Sequence, residues 1–210
     1  MAEIILARHG ETDWNMAEIF RGRIDIGLNE TGIRQAGFLA EHLSNRSIDA
    51  VYSSPLTRAL KTAEAIAGCK KLSVEIAPGL IDFDFGEWQG LAHQEVKDRY
   101  PDLYAEWISH PEQVKIPGGE SLDEVRERAL NVIDKVRDKY GDVVVVVSHR
   151  VVNKVLICAL LGLDNSRFWN IRQDTCGITV FTYTKGQYIL TGHNDTSYLK
   201  SMSRSESSDF

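Results

Sequence analysis

Asp142 to His149 reads DVVVVVSH. Five consecutive valines leave no alternation between a wet and a dry face. A β-branched run of this length suits an interior strand of a parallel sheet, covered by helices on both sides. The run stops abruptly at Ser148-His149-Arg150. Outward from it, three more short apolar runs repeat the theme: Glu3–Ala7, Ile48–Ser54 and Leu72–Ile76. The first ends in Arg8-His9-Gly10, again charged and polar side chains at the end of a strand that reads as buried.

Helices are expected between these strands. Thr31–Ser44 carries Ile33, Ala36, Ala40 and Leu43 on one stripe, with Thr31 as its cap. Ser54-Pro55 reads as a cap and first helical residue for a helix that stops at Gly68. Ser121-Leu122-Asp123-Glu124 is a capping box opening a helix to about Lys139, closed by Gly141. A further helix is expected from about Val151 to Leu161, and two short pieces at His93–Arg99 and Leu103–Ser109. Gly79–Leu91, GLIDFDFGEWQGL, fits no period, and IPGGES is a loop. GITVFTY and YILTGHN flank Thr184–Gln187 and read as a hairpin. The alternation of strand and helix implies an α/β fold, a three-layer α/β/α sandwich whose sheet is mainly parallel with one antiparallel edge strand. One domain is expected over residues 1–199, followed by a flexible, serine-rich tail over 200–210.

The chain has 210 residues, 43% apolar and 26% charged, with a formal net charge of −6. That balance argues against a nucleic-acid or membrane-surface partner, both of which favour a basic face. It leaves room for a small anion in a locally positive pocket. Cys69, Cys158 and Cys176 are odd in number and form no C-x-x-C pair, which speaks against a disulfide framework or zinc knuckle and for a reducing compartment. MAEIILARHG lacks the regions of a secretory leader, and no apolar run is long enough to span a bilayer. A cytoplasmic protein is expected, and a homodimer is left open.

Ligands of open α/β sheets bind beyond the carboxyl ends of the strands. That rim would receive Arg8 and His9, then Arg58 from the first turn of the second helix, then His149 and Arg150. Histidine with arginine, and no nearby cysteine or paired carboxylates, suits a doubly charged oxyanion. Arginine forks match phosphate oxygens at two points, and helix N-termini add donors. Taken singly, each of these side chains reads as ordinary surface, and Asp82 as a turn residue. His42, His93, His110 and His193 stay in that class, while Trp88 and Trp107 read as packing.

RHGETDWN, from Arg8 to Asn15, resembles the signature of the histidine phosphatase superfamily in its phosphoglycerate-mutase-like branch. The resemblance continues in order through SSPLTRALKTAEAI, DFGEWQG, PGGESLDEVRERA and VVVVVSH, so it covers nearly the whole chain. It implies a phosphoglycerate-mutase-like fold and a metal-independent phosphoric monoester hydrolase with no cofactor, acting on a small-molecule phosphate ester. Phosphate monoesters need up to ~10²¹-fold acceleration, and one positioned donor contributes roughly 3 kcal/mol. A nucleophile must therefore sit among many positive groups. By resemblance His9 takes the phosphoryl group, while Arg8, Arg58 and His149 hold its oxygens. Asn15 matches a phosphate-contacting asparagine. Thr12, Arg21, Gly22, Phe85 and Arg150 are placed with it on the substrate side. The proton donor is counted three residues before Phe85-Gly86, which gives Asp82, with Asp84 as the rival.

The segment Leu91–Pro117 is short, which resembles phosphatases more than glycolytic mutases. Phosphoglycerate-mutase-type transfer and non-catalytic phosphate binding are the alternatives. CALLGLDNSRFWNIRQDTCGITV resembles α-ribazole phosphatases and metal-independent phosphoserine phosphatases. Most relatives have glycine after the second histidine. Arg150 stands there in this chain, and an extra cation at that point suits a substrate carboxylate.

Overall fold

The computed structural model describes residues 2–200, so the serine-rich stretch expected to form a tail lies, but for Lys200, outside the described residues. The elements are β1 (Ala2–Arg8), α1 (Asp13–Met16), α2 (Glu30–His42), β2 (Ala50–Ser53), α3 (Thr57–Lys70) and β3 (Val74–Ile76). They continue with α4 (His93–Arg99), α5 (Pro101–Ser109), α6 (Leu122–Lys139), β4 (Val143–Ser148), α7 (Arg150–Leu160), β5 (Ile178–Thr184) and β6 (Gln187–Asp195). Short 3₁₀ turns fill several connections.

The six strands form one sheet in the order β3-β2-β4-β1-β5-β6. The valine strand β4 lies inside it, parallel to β1 on one side and β2 on the other. The antiparallel edge is a hairpin. β5 runs against β1 and β6 runs against β5, around Lys185-Gly186 with φ of 50° and 80°. Positive φ at both central residues gives the turn the twist that the flanking strands require.

Val144 and Val146 pack with α6 and α7, whereas Val145 and Val147 pack with α2 and α3. That division makes the three layers. Each buried valine contributes about 1.5–3 kcal/mol, but the valines are interchangeable, so their burial does not pin the register. The polar end of the run does: Ser148 Oγ donates to Leu80 O at 2.8 Å, a bond that no valine side chain can make. No helix among the described residues is long and apolar enough to cross a membrane.

Helix boundaries at α2 and α3 differ from the sequence reading. The cap of α2 is Asn29, not Thr31. Asn29 Oδ1 accepts from Gly32 N at 2.8 Å while Asn29 Nδ2 donates to Glu11, which fixes the cap from outside the helix. Ser54-Pro55 forms a turn before α3 and does not open it. Ser54 Oγ accepts from Leu56 N, and the first turn is satisfied by a distant carboxylate, Asp25, which accepts from Thr57 N and Oγ1 at 2.8 and 2.7 Å. Nor does α3 stop at Gly68. A glycine in a helix costs about 1 kcal/mol and does not end it. The end comes with the left-handed Lys71, whose N–H donates back to Ala67 and Gly68 carbonyls.

Gly10 and Gly32 meet face to face where the loop after His9 crosses the start of α2. A Cβ on Gly10 would lie 2.5 Å from Gly32 O, and one on Gly32 would lie 2.1 Å from Glu11 O. Gly37, one turn on in the same helix, faces open space. Alanine at the two helical positions should therefore shift stability in opposite directions. In urea titrations Gly32→Ala is expected to lose about 1–3 kcal/mol by overpacking, and Gly37→Ala to gain up to about 1 kcal/mol of helix propensity. Equal effects would refute the close approach.

Candidate active site

β1 and β4 end level with each other, Arg8 paired with Ser148. His9 N then donates to Ser148 O at 3.0 Å, and the His9 and His149 rings stand 5.2 Å apart between centroids. His9 Nδ1 lies 2.6 Å from Gly10 O. A carbonyl only accepts, so Nδ1 carries the proton and the lone pair is on Nε2. Gly10 N donates to Thr62 Oγ1 at 3.1 Å, and Thr62 Oγ1 donates to Arg58 O at 2.9 Å. The loop of the histidine is thus tied to the same turn of α3 that delivers Arg58.

Arg58 is fully buried. Its guanidinium donates to Gly22 O at 2.8 Å, to Ile24 O at 3.0 Å and to Asp82 Oδ2 at 2.9 Å. Arg8, also fully buried, donates from Nη1 to Gln173 O at 2.7 Å. Asp82 Oδ2 stands 3.4 Å from His149 Nδ1, and Asp82 Oδ1 accepts from Phe83 N at 2.9 Å. Its neighbour Asp84 turns away, toward Arg23 at 3.3 Å and Gly86 N at 3.0 Å. His149 Nε2 lies 2.7 Å from Ser54 Oγ. Nδ1 faces the Asp82 carboxylate, an acceptor, so the neutral ring of His149 keeps its proton on Nδ1 and Nε2 accepts from the Ser54 hydroxyl.

Burial, first, and then the Arg58 guanidinium push the His9 imidazole well below the ordinary histidine value, with His149, Arg8 and Arg21 adding to it. Burial followed by Arg58, Arg21, Arg128 and Arg8 does the same to His149. Both rings are therefore neutral near pH 7, the form in which an imidazole is a nucleophile.

Outside this cradle, Asn15 Oδ1 accepts from Thr12 N at 2.9 Å and from Thr12 Oγ1 at 3.0 Å, and both residues are buried. Arg21 Nη1 reaches Thr12 Oγ1 at 3.4 Å. A small cavity is lined by Asp82 with Arg21, Gly22, Phe85 and Arg150, whereas Arg8, His9, Thr12, Asn15, Arg58 and His149 are not among its lining residues. His93 corrects its assignment to ordinary surface, since it lines the cavity and stacks on Phe20 at 4.1 Å. Thr62 and Gln173 were not singled out from sequence, and Ser54 only as a helix cap. Each meets the site through an atom on another segment, which no local pattern reveals, although the serine-proline turn was a usable signal. Trp88 and Trp107 are core, as expected. Among the described residues, no three His, Cys, Asp or Glu side chains stand together in a metal-holding group.

A sheet rim that brings two neutral histidines among three guanidiniums can hold a doubly charged oxyanion. The model of the histidine phosphatase superfamily (branch 1) matches residues 4–196, and the chain belongs to that superfamily. Phosphoserine phosphatase 1 of Hydrogenobacter thermophilus is 38% identical over 200 residues, 95% of each chain. Among solved structures, Bacillus stearothermophilus YhfR superposes with a TM-score of 0.91 at 27% identity, covering 95% of this chain and 100% of that one. A mutant phosphoserine phosphatase from Entamoeba histolytica in complex with phosphoserine gives a TM-score of 0.86 at 31% identity, with 95% and 100% covered. The protein is a phosphatase, a hydrolase of phosphate monoesters.

Two neutral buried histidines make stability depend on pH. Their folded pKa values lie below the ordinary 6.5, so below pH 6.5 the unfolded chain binds more protons than the folded one. Stability is complete above that pH and falls below it, by up to about 1.4 kcal/mol per pH unit for each ring. Urea midpoints between pH 6.5 and 5 should fall less steeply in His9→Gln than in the parent. Identical slopes would mean that His9 is protonated in the fold.

Proposed function

We propose that the protein hydrolyses a small carboxylated phosphomonoester through a phosphohistidine on His9. The observation that carries this reading is the Gly10 carbonyl on His9 Nδ1, which directs the Nε2 lone pair outward while Arg8, Arg21 and Arg58 surround the ring electrostatically. Nε2 attacks phosphorus and the ester oxygen leaves, taking a proton from Asp82. Arg8, Arg58 and His149 Nδ1–H hold the phosphoryl oxygens while charge builds on them. Water then enters, Asp82 takes its proton, the P–N bond breaks, and phosphate leaves with His9 restored. Thr12 stands beside Arg21 and holds Asn15, which brings both within reach of the substrate in this reading.

The carboxylate preference rests on Arg150, which lines the cavity beyond Asp82, and on the kinship with phosphoserine phosphatases. A structure similar to this one is a phosphoserine phosphatase in complex with 3-phosphoglyceric acid, a second carboxylated ligand. The three free cysteines suit a reducing, cytoplasmic setting.

Turnover of phosphoserine in EDTA should be undiminished and should vanish in His9→Ala. Rapid quench with labelled ester should place the label on His9, acid-labile and alkali-stable. Label on another side chain would overturn the mechanism. A panel of phosphoserine, the phosphoglycerates, α-ribazole phosphate and glycerol phosphate, read as kcat/KM, tests the substrate. Arg150→Ala should reduce the preference for carboxylated esters about 10-fold or more, the loss of one charge-assisted pair. An unchanged ranking would remove Arg150 from recognition.

A further inference from the structure

Asp82 sits on irregular backbone. The segment Gly79–Leu91 holds no strand or α-helix, only three-residue 3₁₀ turns at Pro78–Leu80 and Gly86–Trp88. No regular ladder of backbone bonds fixes its carboxylate, yet a proton donor must be placed to within a fraction of an ångström. Beneath the segment lies a group of charges that the reaction does not use.

Arg128 rises from α6 under the loop. Its Nη1 donates to Gly79 O and to Ile81 O, both at 2.7 Å. Nη2 donates to Asp82 O at 3.1 Å and to Glu120 Oε2 at 2.9 Å, and Nε donates to Glu120 Oε1 at 2.9 Å. These five bonds match the five donors of a guanidinium, a rigid planar fork that a lysine cannot copy. Glu120 continues the frame. Its Oε2 accepts from Asp84 N at 3.1 Å, its N donates to Asp84 O at 3.0 Å, and its Oε1 accepts from Arg23 at 2.6 Å. The backbone of residues 79, 81, 82 and 84 is thereby fastened to one arginine–glutamate pair. That pair is itself mostly buried, at 19% and 15% side-chain exposure, so water screens it little.

We propose that Arg128 and Glu120 are positioning residues whose joint task is to aim Asp82 at the leaving oxygen. The proposal rests on the reading of Asp82 as proton donor. A misplacement of about 1 Å can cost 10²-fold in rate, so slack in this frame should appear as lost proton transfer.

The leaving group separates that effect from general damage. A serine alkoxide needs a proton as it departs, whereas 4-nitrophenolate does not. The parameter is kcat/KM, which reports steps up to departure of the alcohol. Arg128→Lys, which keeps the charge, and Glu120→Gln, which keeps the shape, should lower kcat/KM for phosphoserine about 10–100-fold, and for 4-nitrophenyl phosphate less than about 3-fold. Asp82→Asn should show the same bias more strongly. If Asp82→Asn is biased and the two frame variants depress both esters equally, or neither, the positioning role is wrong. Unfolding of both variants, seen by thermal melts, would also overturn it, because the frame would then hold the fold and not the acid. If Asp82→Asn itself shows no bias, the assignment of the proton donor fails first, and this proposal fails with it by that distinct signature.

Discussion

The site depends on one alignment: β1 and β4 run parallel and leave the sheet at the same level, with Arg8 opposite Ser148. The next residue of each strand is a histidine, and His9 N still bonds Ser148 O, so the pairing extends one step beyond the strand itself. Side chains alternate along a strand, and a slip of one residue would send an imidazole to the wrong face. The valines between these ends cannot prevent a slip, because any of them fits either layer. The bond of the Ser148 hydroxyl to Leu80 O supplies the discrimination. Ser148 therefore fixes two things at once: the spacing of the histidines and the distance from the sheet to the Asp82 segment that begins just past Leu80.

Collecting guanidiniums in a dry place opposes folding unless their donors are satisfied. The acceptors the chain offers them are largely carbonyls, although Arg58 Nε meets none among the described residues. Arg8 bonds Gln173 O, and Arg58 bonds the carbonyls of Gly22 and Ile24. Neutral acceptors meet the hydrogen-bonding requirement without cancelling charge, so the positive field survives for an incoming dianion. A frame of aspartates would hold the arginines as well but would erase that field. The single carboxylate on Arg58 is Asp82, the group that handles the proton in the proposed reaction. The same field, with burial, keeps His9 and His149 neutral, so binding power and nucleophilicity come from one arrangement.

Much of this was legible in the sequence because it is written locally. The valine run announces a two-sided strand. The capping box at Ser121 and Glu124 closes on itself, with Ser121 Oγ accepting from Glu124 N and Glu124 accepting from Ser121 N. The side chains at the rim were countable from strand ends. What escaped is what one segment does for another. Asp25 caps α3 from thirty-odd positions away, Gln173 meets Arg8 through its backbone carbonyl, and Ser54 Oγ meets His149 Nε2. His93 looked like surface because its partner Phe20 is brought to it by the Ile19–Ala92 bridge, a contact between distant loops. None of these leaves a period, and a resemblance carries the chemistry of the site without the scaffolding that orients it.

The same distinction bears on whether the phosphoryl group goes to water or to a second substrate. A transferring enzyme needs cover and extra cations over the phosphorylated histidine. The segment between the Phe85-Gly86 turn and Gly118 is spent otherwise. Val96 and Trp107 are buried in the core, where Trp107 packs against Phe83, Phe85, Phe168 and Trp169. Its cations face outward or are already engaged: Lys97 is exposed, Arg99 pairs with Glu95 and Lys115 pairs with Glu124. From α4 and α5 only His93 lines the cavity. An aromatic buttress of this kind stiffens the wall that carries Asp82 while adding no cation above it. Such a wall suits release of phosphate to solvent better than retention for a second acceptor.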